Sequence, residues 1–169
     1  MITTEYCHVM STYNAWMNRR LYALCQTVSD ADRKADRGAF FGSIHATLNH
    51  ILFGDLAFLS RFTGDPKEVP ALGVELYSDF AELWKARQAT DARISDWSMS
   101  LTPAWLVENL TYTSLVDGVE RTVPRWAIVV HMLNHQTHHR GQITALLSQM
   151  GLDYGTTDIP FMPEFQTES

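Results

Sequence analysis

Four stretches of this chain place apolar side chains at the helical period, and long amphipathic helices bury such stripes most readily against one another. The first stretch runs from about Thr4 to Val28, with Tyr6, Met10, Tyr13, Met17, Leu21 and Leu24 on its stripe and no Gly or Pro to interrupt it. A polar connection from Ser29 to Gly38, with room for one helical turn, leads to Ser43, the predicted N-cap of a second helix. That helix carries Ile44, Leu48, Ile51, Leu52, Leu59 and Phe62 and stops at Gly64, and Pro66, Pro70 and Gly73 mark a loop after it. A third helix starts near Ser78 or Asp79, where Asp79 and Glu82 have capping-box spacing, and continues through Leu83, Trp84, Ala86, Ile94 and Trp97.

Between Leu110 and Val123 the pattern changes to β-branched and aromatic residues around Asp117-Gly118, which predicts a short hairpin closed by a tight turn. Pro124 suits the first turn of a fourth helix that runs through Met150 to a stop at Gly151. In the tail from Leu152 to Ser169, the apolar residues Phe161, Met162 and Phe165 lie beside Pro160 and Pro163 and are expected to pack on the helices. The expected fold is all-α, a four-helix bundle with a short β-hairpin before the last helix. A length of 169 residues suits one domain spanning 1–169.

Composition narrows the function. A hydrophobic fraction of 46% with 19% charged residues describes an ordinary globular chain. Thirteen basic against nineteen acidic residues leave a net charge of −6, which lacks the positive field that draws proteins to phosphate backbones, so nucleic acid is not an expected partner. No apolar run reaches the roughly 18 residues of a membrane span, and Met1 to Met10, with Glu5 and His8, does not read as an export signal. Cys7 and Cys25 fall within one predicted helix, too far apart to bridge, which fits a cytoplasmic protein.

Histidine is the chemical signal. Of seven histidines, His131, His135, His138 and His139 lie on the fourth helix and His45 and His50 on the second. Ile128, Val129, Met132, Leu133, Ile143, Leu146, Leu147 and Met150 define an apolar arc of roughly 140° on the fourth helix. His139 falls inside it, His135 at its edge one turn away, and His131 and His138 outside. An i, i+4 pair can converge on one metal ion, and His50, on the flank of the second stripe, can supply a third imidazole across the bundle. Three neutral imidazoles suit a borderline divalent ion and leave a coordination position open. His45 projects toward a more polar face and reads as a surface or rim residue.

The run Asn134-His135-Gln136-Thr137-His138-His139-Arg140-Gly141-Gln142 resembles the last-helix signature of the DinB-like (DinB/YfiT) family. Tyr13-Asn14-Ala15-Trp16-Met17-Asn18 is similar to its first-helix pattern, and Leu48-Asn49-His50-Ile51-Leu52-Phe53-Gly54-Asp55 to its second-helix pattern. The resemblance implies a four-helix bundle that binds a divalent metal, commonly zinc or nickel, through His50, His135 and His139. It also implies the chemistry of characterised relatives, which include thiol-dependent S-transferases, a mycothiol-dependent isomerase and candidate metal hydrolases. A small-molecule substrate or a low-molecular-weight thiol is the partner so implied, and relatives commonly form homodimers.

Three further polar residues fall where the helices should be apolar: Asp55 in the second, Gln136 and Arg140 in the fourth. Asp55 is expected to pair with Arg140 or to accept the outer N–H of a ligand histidine, unless helix tilt brings these residues to a rim or a dimer contact. Gln142 is within reach of a group bound to the metal, although a solvated glutamine is the default. Trp16, Trp84, Trp97, Trp105 and Trp126 read as core or interface packing. No Ser-His-Asp order, phosphate-binding glycine loop or cysteine nucleophile is evident, so metal activation of water or a thiol is the one visible catalytic device. The alternatives are a non-catalytic, metal-stabilised stress-response protein and a helical interaction module. For assembly, five tryptophans and a long apolar first helix favour a homodimer through the outer faces of the first and fourth helices.

Overall fold

The computed structural model describes residues 2–64 and 73–166, and the loop-marking Pro66 and Pro70 lie outside the described residues. The predicted helices are α1 (Thr4–Gln26), α3 (Ile44–Thr63), α4 (Phe80–Met99) and α6 (Arg125–Gln149), with the short α2 (Asp30–Lys34) between the first two. Their ends follow side-chain chemistry. Ser43 Oγ accepts from Ala46 N at 3.1 Å, the Asp79 carboxylate accepts from Glu82 N at 2.9 Å, and Gly64 ends α3 in the left-handed region at φ 66°.

Among the described residues, α1 borders α4 and α6, and α3 borders the same two helices, so α1 and α3 stand on one diagonal. The core gives their directions. One apolar cluster gathers Met10 and Met17 of α1, Leu59 and Phe62 of α3, Ile94 and Trp97 of α4, and Val129 and Leu133 of α6. The other gathers Leu21 and Cys25, Leu48 and Leu52, Phe80 and Leu83, and Ile143 and Leu147. Thus α1 and α6 run one way while α3 and α4 run the other, an up-down-down-up bundle in which α3 and α6 are antiparallel neighbours.

Between the two clusters each long helix contributes buried polar groups: Asn14 and Asn18, Asp55, Arg87 and Asp91, Gln136 and Arg140. Asp55 does not pair with Arg140 or with a ligand histidine. Its partners are the Arg87 guanidinium and Gln136 Nε2, the latter at 3.0 Å. Arg87 also reaches Asp91 at 2.9 Å, and Asn18 Nδ2 donates to Asp91 at 3.0 Å. Arg140 instead donates to Gln136 Oε1 at 3.2 Å and lies over the Tyr13 ring, facing α1 while Arg87 on α4 faces α3. Burial at this level makes each partner necessary, which also excludes the rim or dimer alternative for Asp55, Gln136 and Arg140.

Two other expectations change, and one element is new. The hairpin, β1 (Asn109–Thr113) with β2 (Glu120–Pro124), has no two-residue turn at Asp117-Gly118. Ser114 N donates to Val119 O, Leu115 to Gly118 form the turn, and only Gly118 has a positive φ. Pro124 is the last strand residue and precedes α6 instead of opening it. A short α5 (Pro103–Val107), capped by Thr102 with Pro103 in its first turn, fills the gap before the hairpin.

In the tail Met162 is buried, whereas Phe161 and Phe165 stay exposed. Tyr13 Oη donates to Thr157 O at 2.7 Å and Arg20 donates to the carbonyls of Tyr154 and Thr156, so polar bonds to α1 help hold this segment. The tryptophans pack as expected: Trp97 is buried, Trp16, Trp105 and Trp126 lie against the first cluster, and Trp84 lies against the second. Cys7 and Cys25 are free and buried. No described helix is long and apolar enough to cross a membrane.

Candidate metal centre

The α3–α6 seam brings His50, His135 and His139 together at the level of the buried polar layer. One nitrogen from each lies within 4.8 Å of the others, and His50 Nε2 is 3.0 Å from His135 Nε2. Tetrahedral coordination at the usual Zn–N bond length needs nitrogens about 3.3 Å apart, so small ring rotations suffice and the donor set fits a divalent ion. Among the described residues no carboxylate or thiolate joins this group.

Each ring has a different support. His139 Nδ1 donates to Gln142 Oε1 at 2.8 Å, which fixes its tautomer and leaves the Nε2 lone pair for the cluster. Gln142 is therefore not a free, solvated glutamine. Phe41 stacks on His50 with centroids 3.8 Å apart and meets His139 edge-on at 5.5 Å, a contact that no sequence pattern announced. His135 lies across Gly54 so closely that a Cβ there would sit 2.8 Å from Cε1, which explains a glycine in the middle of α3. His135 Nδ1 is buried without a partner among the described residues.

The environment keeps these rings neutral. Burial, then the charge of His139, holds His50 down to about 4. Burial and the neighbouring imidazoles hold His135 down to about 3. His139 is lowered by burial, with Gln142 pulling the other way. Lone pairs free of protons at neutral pH are what a metal ion requires.

The remaining histidines stand apart. His138 is exposed and meets Gln142 Nε2 at 3.3 Å. His131 is exposed beside Phe58, its ring 5.9 Å from that of His135. His45 is not a rim residue: it is 1% exposed, with Nε2 at 2.8 Å from Tyr77 O and 3.1 Å from Glu75. The segment leading into α4 covers its face of α3, and Asn49 fixes the same segment through both the N–H and the carbonyl of Tyr77.

The cluster opens outward. His50 and His135 line a cavity of about 260 Å³ that extends under the hairpin. A wider depression of about 490 Å³, bordered by Phe40, Val116 and Gln142, is lined by all three histidines.

A four-helix bundle with an open three-histidine cluster on two antiparallel helices defines the class. The chain belongs to the DinB family, whose sequence pattern matches residues 1–169. Protein DinB of Bacillus subtilis (strain 168) is 22% identical over 164 residues, 92% of either chain. The fold is also that of a DinB-like protein from Bacillus cereus ATCC 10987, whose crystal structure aligns with a TM-score of 0.62 at 16% identity, covering 83% of this chain and 89% of that one.

Proposed function

We propose that His50, His135 and His139 hold a divalent metal ion, zinc or nickel, in a metal-dependent enzyme that hydrolyses a small molecule or transfers a low-molecular-weight thiol to it. The observation that carries this reading is three neutral imidazoles facing a cavity with no fourth protein ligand among the described residues. Closed structural sites use four protein ligands, whereas reaction centres leave a position for water or substrate. An ion held there would lower the pKa of a coordinated water or thiol. The chain's own contribution is placement: Gln142 orients His139, Gly54 admits His135, and Phe41 covers His50 on its apolar side. The same reading puts the protein in the cytoplasm, where its two buried thiols stay reduced.

The test is elemental analysis of tag-free protein beside single alanine variants. His50→Ala, His135→Ala and His139→Ala should each lose the metal, while His45→Ala and His138→Ala keep it. Full stoichiometry after any of the first three changes removes that residue from the site. Cobalt-substituted protein addresses the reaction: an added thiol should produce a thiolate-to-cobalt absorption band if thiol transfer is the activity. An unchanged spectrum would remove thiol transfer and leave hydrolysis, while a spectrum also unmoved by pH, with no titrating metal-bound water, would leave a purely structural ion.

A further inference from the structure

The cavity under the hairpin has a feature that the metal reading does not use. His50, Phe53, Gly54, Ala57, Phe58 and Arg61 follow one face of α3, so the cavity runs along the helix from the histidine cluster to Arg61. These ends are about 16 Å apart along the axis, and an arginine side chain leaning toward the helix N-terminus brings its charge closer to the histidines. The Arg61 guanidinium lies 5.4 Å from the centre of the Phe58 ring and 4.7 Å from that of Tyr112, held between a helix and the hairpin. The opposite wall is apolar, with Leu115 and Val116 at the hairpin turn and the Ser114 hydroxyl beside them.

No carboxylate lines this cavity, and among the described residues none forms an ion pair with Arg61. Burial holds the guanidinium below its usual range, with only Tyr112 opposing that. The other inward-facing arginines are neutralised or bonded: Arg87 between two carboxylates, Arg140 to Gln136 and Thr137. A half-buried cation left with two aromatic faces is set up for an anion supplied from outside. Apart from the cluster's own rings, the cavity's other polar groups are the His131 imidazole, kept towards its neutral form by burial, the Tyr112 hydroxyl, and the Ser114 hydroxyl, already bonded to Val116 N. A lone guanidinium charge among them suits a single negative charge on a planar group. At about 260 Å³ the cavity lies slightly below the usual range for ligand pockets, about 300–1,000 Å³, which restricts the occupant to a small molecule.

We propose that this cavity is the substrate subsite of the histidine cluster, and that Arg61 selects a small, largely apolar or aromatic molecule bearing one carboxylate. The carboxylate pairs with Arg61 at the far end while the apolar body lies along Phe53, Ala57 and Phe58 and points its other end at His50 and His135. This rests on the cluster being the reaction centre, but the recognition belongs to Arg61 and is measurable without metal.

Phenylbutyrate and its uncharged amide serve as probes in calorimetric titrations of metal-free and zinc-loaded protein. Wild-type protein should bind the acid about tenfold more tightly than the amide in both forms, as one partly exposed charge-assisted pair implies. Arg61→Gln should erase that preference and keep the zinc stoichiometry, and Arg61→Lys should recover part of it, with circular dichroism and Tm confirming that both variants fold. Equal affinity for acid and amide, no binding of the acid at roughly 10 mM, or a preference that survives in Arg61→Gln would overturn the proposal. A preference seen only with zinc and lost in His135→Ala would place the carboxylate on the metal; that overturns the role of Arg61 and leaves the metal reading intact. A protein that binds no zinc but still prefers the acid through Arg61 would do the reverse.

Discussion

Two polar clusters sit at the same level of this bundle, and they differ in how far their groups satisfy one another. In the layer of Asp55, Arg87, Asp91, Gln136 and Arg140, opposite charges face each other and amides fill the gaps. In the cluster of His50, His135 and His139, three imidazoles converge, His50 Nε2 and His135 Nε2 sharing a 3.0 Å hydrogen bond, and line a cavity. Both cost desolvation. The layer recovers much of that cost internally, although the Asn14 amide and Arg87 Nε find no hydrogen-bond partner among the described residues, and it acts on structure, fixing four helices against one another. The histidine cluster gathers no carboxylate or thiolate among the described residues and faces a cavity, which is the physical signature of a site.

The sharpest way to break the contrast is to damage the layer alone. Arg87→Ala leaves the Asp55 and Asp91 carboxylates without their shared cation, and the expected loss is about 3–5 kcal/mol, a fall in Tm of roughly 10 °C in thermal unfolding. The fraction still folded should bind zinc at full stoichiometry, whereas His135→Ala should fail to bind zinc and, compared with wild type when both are metal-free, change Tm far less. Gly54→Ala has an intermediate effect. Its new Cβ pushes on His135, so zinc affinity in a chelator competition should fall about 10–100-fold, the range typical for a displaced ligand support.

Between about pH 7 and pH 6 the effect of acidification is the smallest of these, and it grows below that range. An unfolded chain's histidines take up protons near 6.5, while His50 and His135 in the fold resist until about 4 and about 3. Their contribution to metal-free stability is therefore complete above 6.5 and lost as pH falls from there toward 4 and below. Zinc affinity should likewise hold through the ordinary histidine range and drop only on further acidification; a decline beginning near neutrality would show rings with unshifted titration.

The trio could be read from the sequence because helical period alone sorts His139 and His135 from His131 and His138 and puts His50 on a stripe. The same arithmetic failed where a partner comes from another helix. Nothing along the chain marks Arg87 as the counter-ion of Asp55, since Arg87 and Arg140 are alike in type and only packing decides between them. His45 was misplaced because the segment that buries it, around Tyr77, leaves no periodic trace. The short α5 does carry a sequence signal, the capping Thr102 followed by Pro103. The cavity needs the hairpin wall, and the expected tight turn at Asp117-Gly118 would have left Leu115 and Val116 within the strands.

The antiparallel docking of α3 and α6 has a kinetic consequence. His50 and His135 meet across a sequence separation of 85 residues, so the contact that closes the cluster bears the entropy of a large loop and is not rewarded until the whole bundle is assembled. His135 and His139, one turn apart, are neighbours as soon as α6 exists. The chain thus brings two of the three histidines together early and locally and completes the cluster late and globally. Tight ion capture during refolding should then trail helix formation and coincide with burial of the core, making the cluster a built-in reporter of the last stage of folding.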